Sequence, residues 1–274
     1  MATLLSYQFF IMAVALVFSG AIAGFLAGLF GIGGGAVLVP VLATILSLAG
    51  VDASVVMHVS VATSLAVIVP TSLRSYFSHR KRGAVDEQLL RSWVMAIPAG
   101  VLIASWVASI INGEQMKAIF VAIAFLVAMR MLFNRDSWRL GTDIPANPIR
   151  FCIGMIIGFL STLMGIGGGV MNNTFMTLFG RPIHQAVATS SGVGVLISIP
   201  AVFGMIWAGW GIAGLPPLSL GYVNVLAVAV IIPASIYCAP LGAAAAHKLN
   251  KRQLEIGFGI FLLLVCLRFL YSLL

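Results

Sequence analysis

The chain has 274 residues, of which 61% are hydrophobic and only 8% charged, with a mean hydropathy of +1.12. A soluble domain carries roughly 25% charged residues because water must wet its surface, so the solvent around most of this chain is hydrocarbon, which admits only helices or closed barrels. The apolar runs lack the alternation of barrel strands, and the net charge of +8 sits in short loops where it orients spans in a bilayer and gives no reason to invoke nucleic acid.

Taken in chain order, the first half offers five apolar segments: Leu4–Phe30, Ala36–Leu48, Met57–Phe77, Leu89–Ile111 and Gln115–Phe133. The first lacks the basic start of a signal peptide and exceeds the length of its apolar core, so it reads as a retained helix. A polar hinge follows at 134–148. The second half offers Ile149–Met164, Val170–Phe179, Gln185–Trp207, Gly221–Ala246 and Gln253–Leu273. About 20 residues are needed to cross the hydrocarbon core, so the short second segment of each half reads as a partial or broken helix. Cys152, Cys238 and Cys266 fall in apolar runs without metal-like spacing and read as small buried hydrophobes. No metal site and no cofactor is expected.

The two halves are copies. Gly24 to Gly35 reads GFLAGLFGIGGG and Gly158 to Gly169 reads GFLSTLMGIGGG; His58 to Ser64 reads HVSVATS and His184 to Ser190 reads HQAVATS. Pro98-Ala99 matches Pro233-Ala234, Asn112 matches Asn250, and the matches keep their order at offsets of 126 to 138 residues. The chain is therefore a duplication, 1–133 and 149–274, joined by the linker at 134–148.

Charge sets the relative orientation of the copies. His79, Arg80, Lys81 and Arg82 follow the third segment of the first half, whereas the equivalent Gly211–Leu220 carries no charge. The next loop reverses this: Asn112–Lys117 holds one Glu and one Lys, while His247–Arg252 holds Lys248, Lys251 and Arg252. Placing every basic loop in the cytoplasm requires two inverted copies with both termini outside. The expected fold is an all-α polytopic bundle of two inverted repeats, each of about five hydrophobic segments with a glycine-broken short helix.

Inverted repeats with broken segments at matching positions point to a transport site near the bilayer midplane. The breaks are Gly31–Gly35 and Gly165–Gly169, where glycine weakens the helix and frees the backbone to turn. A helix restarting there presents unpaired N–H groups and the positive end of its dipole, which suits an anion. Gly33, Gly34, Gly35, Gly167, Gly168 and Gly169 are the candidate substrate-binding positions of the breaks. GIGGG lacks the Lys-Ser/Thr of a phosphate-binding loop and no strand precedes it.

Thr63 and Ser64, with Thr189, Ser190 and Ser191, either bond carbonyls of their own helices or coordinate a polar substrate. Asn172 and Asn173 stand where the first half has Leu38 and Val39; their amides need either interhelical partners or substrate. His58 and His184 are symmetry mates that either cap a boundary turn or act as gating or proton-linked groups. All seven acids fall in loops or at segment ends, so a site of N–H groups, hydroxyls and amides favours a small anion over a cation. No nucleophile–base set or metal-ligand spacing argues for an enzyme. The series Gly20, Gly24, Gly28 suits close helix packing, and it also permits a homodimer.

The doubled GIGGG, each copy followed by an ATS-type hydroxyl segment, resembles the TauE/SafE family over nearly the whole chain. The resemblance implies a multi-pass permease of the bacterial cytoplasmic membrane that moves sulfur oxyanions or organosulfonates such as sulfite or sulfoacetate, frequently as export. It also implies that both glycine breaks and both Thr-Ser pairs build the site. The second copy departs from the family's pattern at Val170-Met171-Asn172-Asn173-Thr174, where the first copy keeps Pro40.

Neutralising Arg80, Lys81 and Arg82 together is expected to disturb insertion topology. Cysteine-accessibility mapping reads this, and an unchanged map would contradict the charge argument.

Overall fold

The computed structural model describes residues 14, 16–26, 35–133, 141, 143–246 and 251–272. Their helices are α1 (Leu16–Leu26), α2 (Gly35–Leu48), α3 (Ala53–Lys81), α4 (Glu87–Ser92), α5 (Ala96–Ile110) and α6 (Gly113–Leu132) in the first half. The second half forms α7 (Ile149–Leu163), α8 (Gly169–Leu178), α9 (Ile183–Ala208), α10 (Val225–Ala246) and α11 (Lys251–Tyr271). A two-residue antiparallel pair, β1 (Ser219–Leu220) with β2 (Val223–Asn224), interrupts the helices before α10. The chain is an all-α membrane bundle.

Three described helices are long and apolar enough to cross a membrane: α3, α6 and α9. Helix α3 has 29 residues, roughly 43 Å at 1.5 Å per residue, against a hydrocarbon core of about 30 Å. His79, Arg80 and Lys81 therefore continue the helix, where a loop was expected, and project its basic end past the core. At its other end Asp52 caps α3 by accepting the Ser54 amide at 2.8 Å. The side chain and backbone of Ser54 both hold this carboxyl below its ordinary value.

Two expected segments are divided. Leu89–Ile111 splits at Trp93–Met95 into α4 and α5. There the buried Trp93 indole donates to the Arg150 carbonyl at 3.0 Å and pins the turn to the start of α7. Gly221–Ala246 begins with the β2 strand before α10 starts at Val225. An apolar run reports burial in lipid or protein but carries no mark of a turn that side-chain packing imposes. The short second segments appear as expected, 14 residues in α2 and 10 in α8, the latter roughly 15 Å long.

Large apolar side chains cover the outside of the bundle: Phe18, Leu102, Leu126, Phe203, Leu264 and Leu267 are all exposed. Facing hydrocarbon, they cost nothing. Cys152 also lies on the exposed face of α7, and Cys238 is partly exposed, while Cys266 is buried. The reading of three buried cysteines thus holds only for the last. Trp106, Trp207, Trp210 and Tyr271 are exposed near the ends of α5, α9 and α11, forming an aromatic girdle of the kind found at headgroup depth.

The two halves interlock. Helix α1 packs on α10, with Gly20 against Ile231 and Gly24 against the Ser235 backbone, while α7 packs on α5, with Gly154 against Trp93 and Gly158 against Ile97. The first helix of each half thus lies on the fourth-segment helix of the other. The Gly20 and Gly24 face is therefore spent inside the chain and is not available to a second copy. Helices α6 and α11 pair antiparallel. Lys117 near the start of α6 donates to Ser272 beyond the end of α11 at 3.1 Å, and Arg252 at the start of α11 donates to the Met131 and Leu132 carbonyls that end α6. Helices α3 and α9 also cross antiparallel, Tyr76 meeting Gly192 and Ser72 meeting Gly194.

A Cβ at Gly158 would run into the Ile97 carbonyl. Gly158→Ala is therefore expected to lower stability by about 1–3 kcal/mol, the cost of overpacking a close contact. Thermal unfolding in detergent measures it, and a wild-type midpoint would contradict the contact.

Candidate functional site

The second glycine break is built from two left-handed glycines. Gly165 has φ +66° and Gly168 has φ +74°, conformations that cost an L-residue with a Cβ. They turn the chain out of α7 and into α8 within five residues, and every residue from Ser161 to Val170 is buried. Of the first break, residues 31–34, and with them the candidates Gly33 and Gly34, lie outside the described residues; Gly35 is the buried first residue of α2.

The breaks meet. Gly35 packs directly on the Gly165 carbonyl and the Ile166 backbone, an approach that no Cβ could share. The same Gly165 carbonyl accepts a hydrogen bond from Ser64 Oγ at 2.9 Å. Gly167 lies near Ile68 and Gly194, and Gly168 against Ile197 and Val193. The centre of the bundle is thus backbone from both halves, wrapped by α3 and α9. Gly169 is buried and opens α8.

Around the second break the polar residues bond one another. Asn172 Nδ2 donates to Ser190 Oγ at 2.7 Å, and Ser190 Oγ donates to Asn173 Oδ1 at 2.7 Å. Asn172 is fully buried and its Oδ1 has no partner. Ser191 bonds its own helix, donating to the Ala188 carbonyl at 2.6 Å. The own-helix reading of the hydroxyls thus holds only in part. Ser191 stays within its helix, while Ser64 and Ser190 reach across to residues at or beside the second break.

The two threonines do something the sequence did not reveal. Thr63 Oγ1 accepts the backbone N–H of Asn224 at 3.1 Å, and Asn224 Oδ1 accepts the N–H of Ala227 at the start of α10. Thr189 Oγ1 accepts the backbone N–H of Asp86 at 2.9 Å, and Asp86 Oδ1 accepts the N–H of Leu89 in α4. Each ATS threonine thus clamps the capping residue that leads into the fourth segment of the opposite half. Asp86 and Asn224 are 138 positions apart. That offset, together with an Asx residue three before a helical N–H, was the available signal.

The two histidines are not equivalent in space. His58 is buried, stacked on Tyr222 of the β hairpin with ring centroids 4.7 Å apart, and neither ring nitrogen has a partner. His184 is exposed at the start of α9. Helix α3 runs unbroken through His58 and Thr63, so they do not share a helix face; the hairpin nonetheless touches both, through Tyr222 and Asn224. One end of the bundle is covered by that hairpin. At the other end α4 covers Thr189, and Glu87 of α4 pairs with Arg80 at 3.0 Å. Among the described residues no group of His, Cys, Asp and Glu could hold a metal ion.

The family model described as sulfite exporter TauE/SafE matches residues 16–269. A "probable membrane transporter protein" of Haemophilus influenzae is 37% identical over 249 residues, covering 90% of this chain and 94% of its own. Proteins of the same description from Methanocaldococcus jannaschii and Bacillus subtilis are 31% and 27% identical, covering 92% and 94% of this chain and 93% and 97% of theirs. No solved structure matches the chain.

Ser64→Ala leaves the Gly165 carbonyl without its donor and is expected to cost about 1–2 kcal/mol, as for an interhelical hydrogen bond lost within a membrane. Asn172→Leu removes a donor and an already unpaired acceptor together, so it should cost less. Thermal unfolding of the two variants ranks them; the reverse order would contradict the assignment.

Proposed function

The chain belongs to the sulfite exporter TauE/SafE family of membrane proteins, and on that premise we propose that it is a secondary transporter exporting a small sulfur oxyanion or organosulfonate, such as sulfite or sulfoacetate, by alternating access around the paired glycine breaks. Membership makes the chain a multi-pass membrane transporter; the substrate, the direction and the route are the proposal. The proposal assigns the chain no catalytic step.

The observation that carries the reading is the meeting of Gly35 with Gly165 under the Ser64 hydroxyl. A short helix begins on each side of this contact. The first N–H groups of a helix lack intrahelical partners, and with the helix dipole they favour negative charge. Near the start of α8 stand the amides of Asn172 and Asn173, bonded to the Ser190 hydroxyl. This carboxylate-free environment favours an oxyanion and offers a cation no charged ligand. The unpaired Asn172 Oδ1 matches a protonated oxygen or a hydroxyl of the cargo, so the departure from internal symmetry at Asn172 and Asn173 is where specificity is proposed to reside.

Closed packing around Gly165–Gly169 supports a carrier. A channel needs a wetted path, whereas these residues are buried against Val39, Val61, Val193 and Ile197. In the proposed cycle the cross-half hydrogen bond of Ser64 to Gly165 releases as one half rocks on the other, and Ser190 gives up its bonds to Asn172 and Asn173, so that both hydroxyls exchange their partners for substrate oxygens. Thr63 with Asn224 and Thr189 with Asp86 are the matching latches at the two ends. His58, buried under the hairpin with both nitrogens unpaired, is proposed as the gating group of one end and His184 as its exposed counterpart. Antiparallel pairing of α6 with α11 and of α3 with α9 supports opposed orientations of the halves, with both termini outside the cytoplasm.

Gly168→Leu cannot keep the left-handed turn and strikes Ile197 and Val193. In proteoliposomes, wild-type protein is expected to show saturable counterflow of labelled sulfoacetate, and Gly168→Leu protein that still inserts is expected to show none. Flux that never saturates would instead indicate a channel, and wild-type flux in the variant would overturn the site.

A further inference from the structure

At the end of the bundle opposite Arg80–Arg82, a cavity of about 230 Å³ opens among the ends of α2 and α11 and the starts of α3 and α6. Lys117 and Arg268 line it together with Thr44, Ser47 and Ser272. Neither cation forms an ion pair with a described carboxylate: the described pairs engage Arg80, Arg181 and Arg252. Lys117 donates only to the Ser272 hydroxyl.

A second cavity of about 220 Å³ adjoins the first and shares Thr44 and Arg268 with it. Its remaining walls are apolar: Pro40, Val41 and Ile45 of α2 face Phe261 and Val265 of α11. Pro40 stands four positions before Thr44 in α2, and Phe261 seven positions before Arg268 in α11. The groove therefore runs down from the cations toward the depth of the glycine break at which α2 begins.

We propose that this is a binding site for one anionic phospholipid, its phosphate between Lys117 and Arg268 and an acyl chain in the groove between α2 and α11. Charge complementarity selects the occupant, because two cations without a carboxylate partner and the Ser47 hydroxyl make an oxyanion site, the Thr44 and Ser272 hydroxyls being spent on the Pro40 and Phe269 carbonyls, and an adjoining apolar groove has no use for a free, hydrated ion. The depth agrees: Tyr271, one turn beyond Arg268, is exposed at the end of α11, the kind of position at which aromatic side chains meet headgroups. The lipid wedges between α2, which carries the first glycine break, and α11, which pairs with α6. It thereby bears on the helix that the proposed transport cycle moves, although the site stands independently of which solute is carried.

The full chain, purified in an uncharged detergent, is titrated with phosphatidylglycerol, with phosphatidylcholine and with glycerol phosphate, and bound lipid is read by native mass spectrometry. Two cations near the membrane surface predict ~30-fold tighter binding of phosphatidylglycerol than of phosphatidylcholine. The K117Q/R268Q double variant should bind both lipids alike, K117R/R268K should keep the preference, and Ile45→Trp should weaken both lipids by filling the groove. Glycerol phosphate, which lacks acyl chains, should not compete. Equal binding of the two lipids by wild-type protein, or a preference that survives K117Q/R268Q, overturns the proposal. So does displacement of lipid by glycerol phosphate, which would make this a site for a free oxyanion.

Discussion

The bundle depends on one contact between backbones: Gly35 of one half laid on the Gly165 carbonyl of the other, with the Ser64 hydroxyl holding that carbonyl in place. Inside a bilayer a chain can leave the helix only where protein buries the freed polar groups. Here the first half, through Gly35, Val39, Val61 and Ser64, buries Gly165 at the interruption of the second. The glycines serve two separate needs, the left-handed turns at Gly165 and Gly168 and the absence of a Cβ at Gly35. A break of this kind is stable only while both halves are present, so the two copies act as one folding unit.

From that centre the same exchange spreads outward. The first helix of each half packs on the fourth-segment helix of the other, and each ATS threonine accepts the N–H of a capping residue from the other half. Every one of these contacts crosses between copies, so a small rotation of one copy against the other loads all of them together. The correspondence between the halves fails at two places. Asn172 and Asn173 replace apolar residues on one side only, and His58 is sealed beneath a hairpin while His184 is open.

Much of this was legible in the sequence because glycine, charge and apolar length each have a direct physical meaning. The doubled GIGGG set the short segments to begin at Ala36 and Val170, one residue after the Gly35 and Gly169 at which α2 and α8 start, and those segments proved short. For Ser64 the choice legible in the sequence was a carbonyl of its own helix or a substrate, and the Gly165 carbonyl it bonds is neither. The partners of Thr63 and Thr189 were out of reach, since a backbone N–H has no letter and Asn224 lies 161 residues from Thr63. The turn at Trp93–Met95 was hidden inside a continuous apolar run, because it is fixed by a tryptophan reaching a carbonyl of another helix. The equivalence of the histidines, sound in sequence, did not survive because one lies under a hairpin that has no counterpart beside the other.

The central claim, that the meeting point of the two breaks receives a small anion, is tested most directly by protection of a single cysteine. Ser191 hydrogen-bonds only its own helix and neighbours the Ser190 network, so Ser191→Cys in a chain with Cys152, Cys238 and Cys266 replaced reports on the site without dismantling it. The account predicts faster labelling by a sulfonate-bearing methanethiosulfonate than by its trimethylammonium analogue, with sulfoacetate slowing both in a saturable way. Labelling that favours the cation, or that ignores sulfoacetate at every concentration, would contradict it.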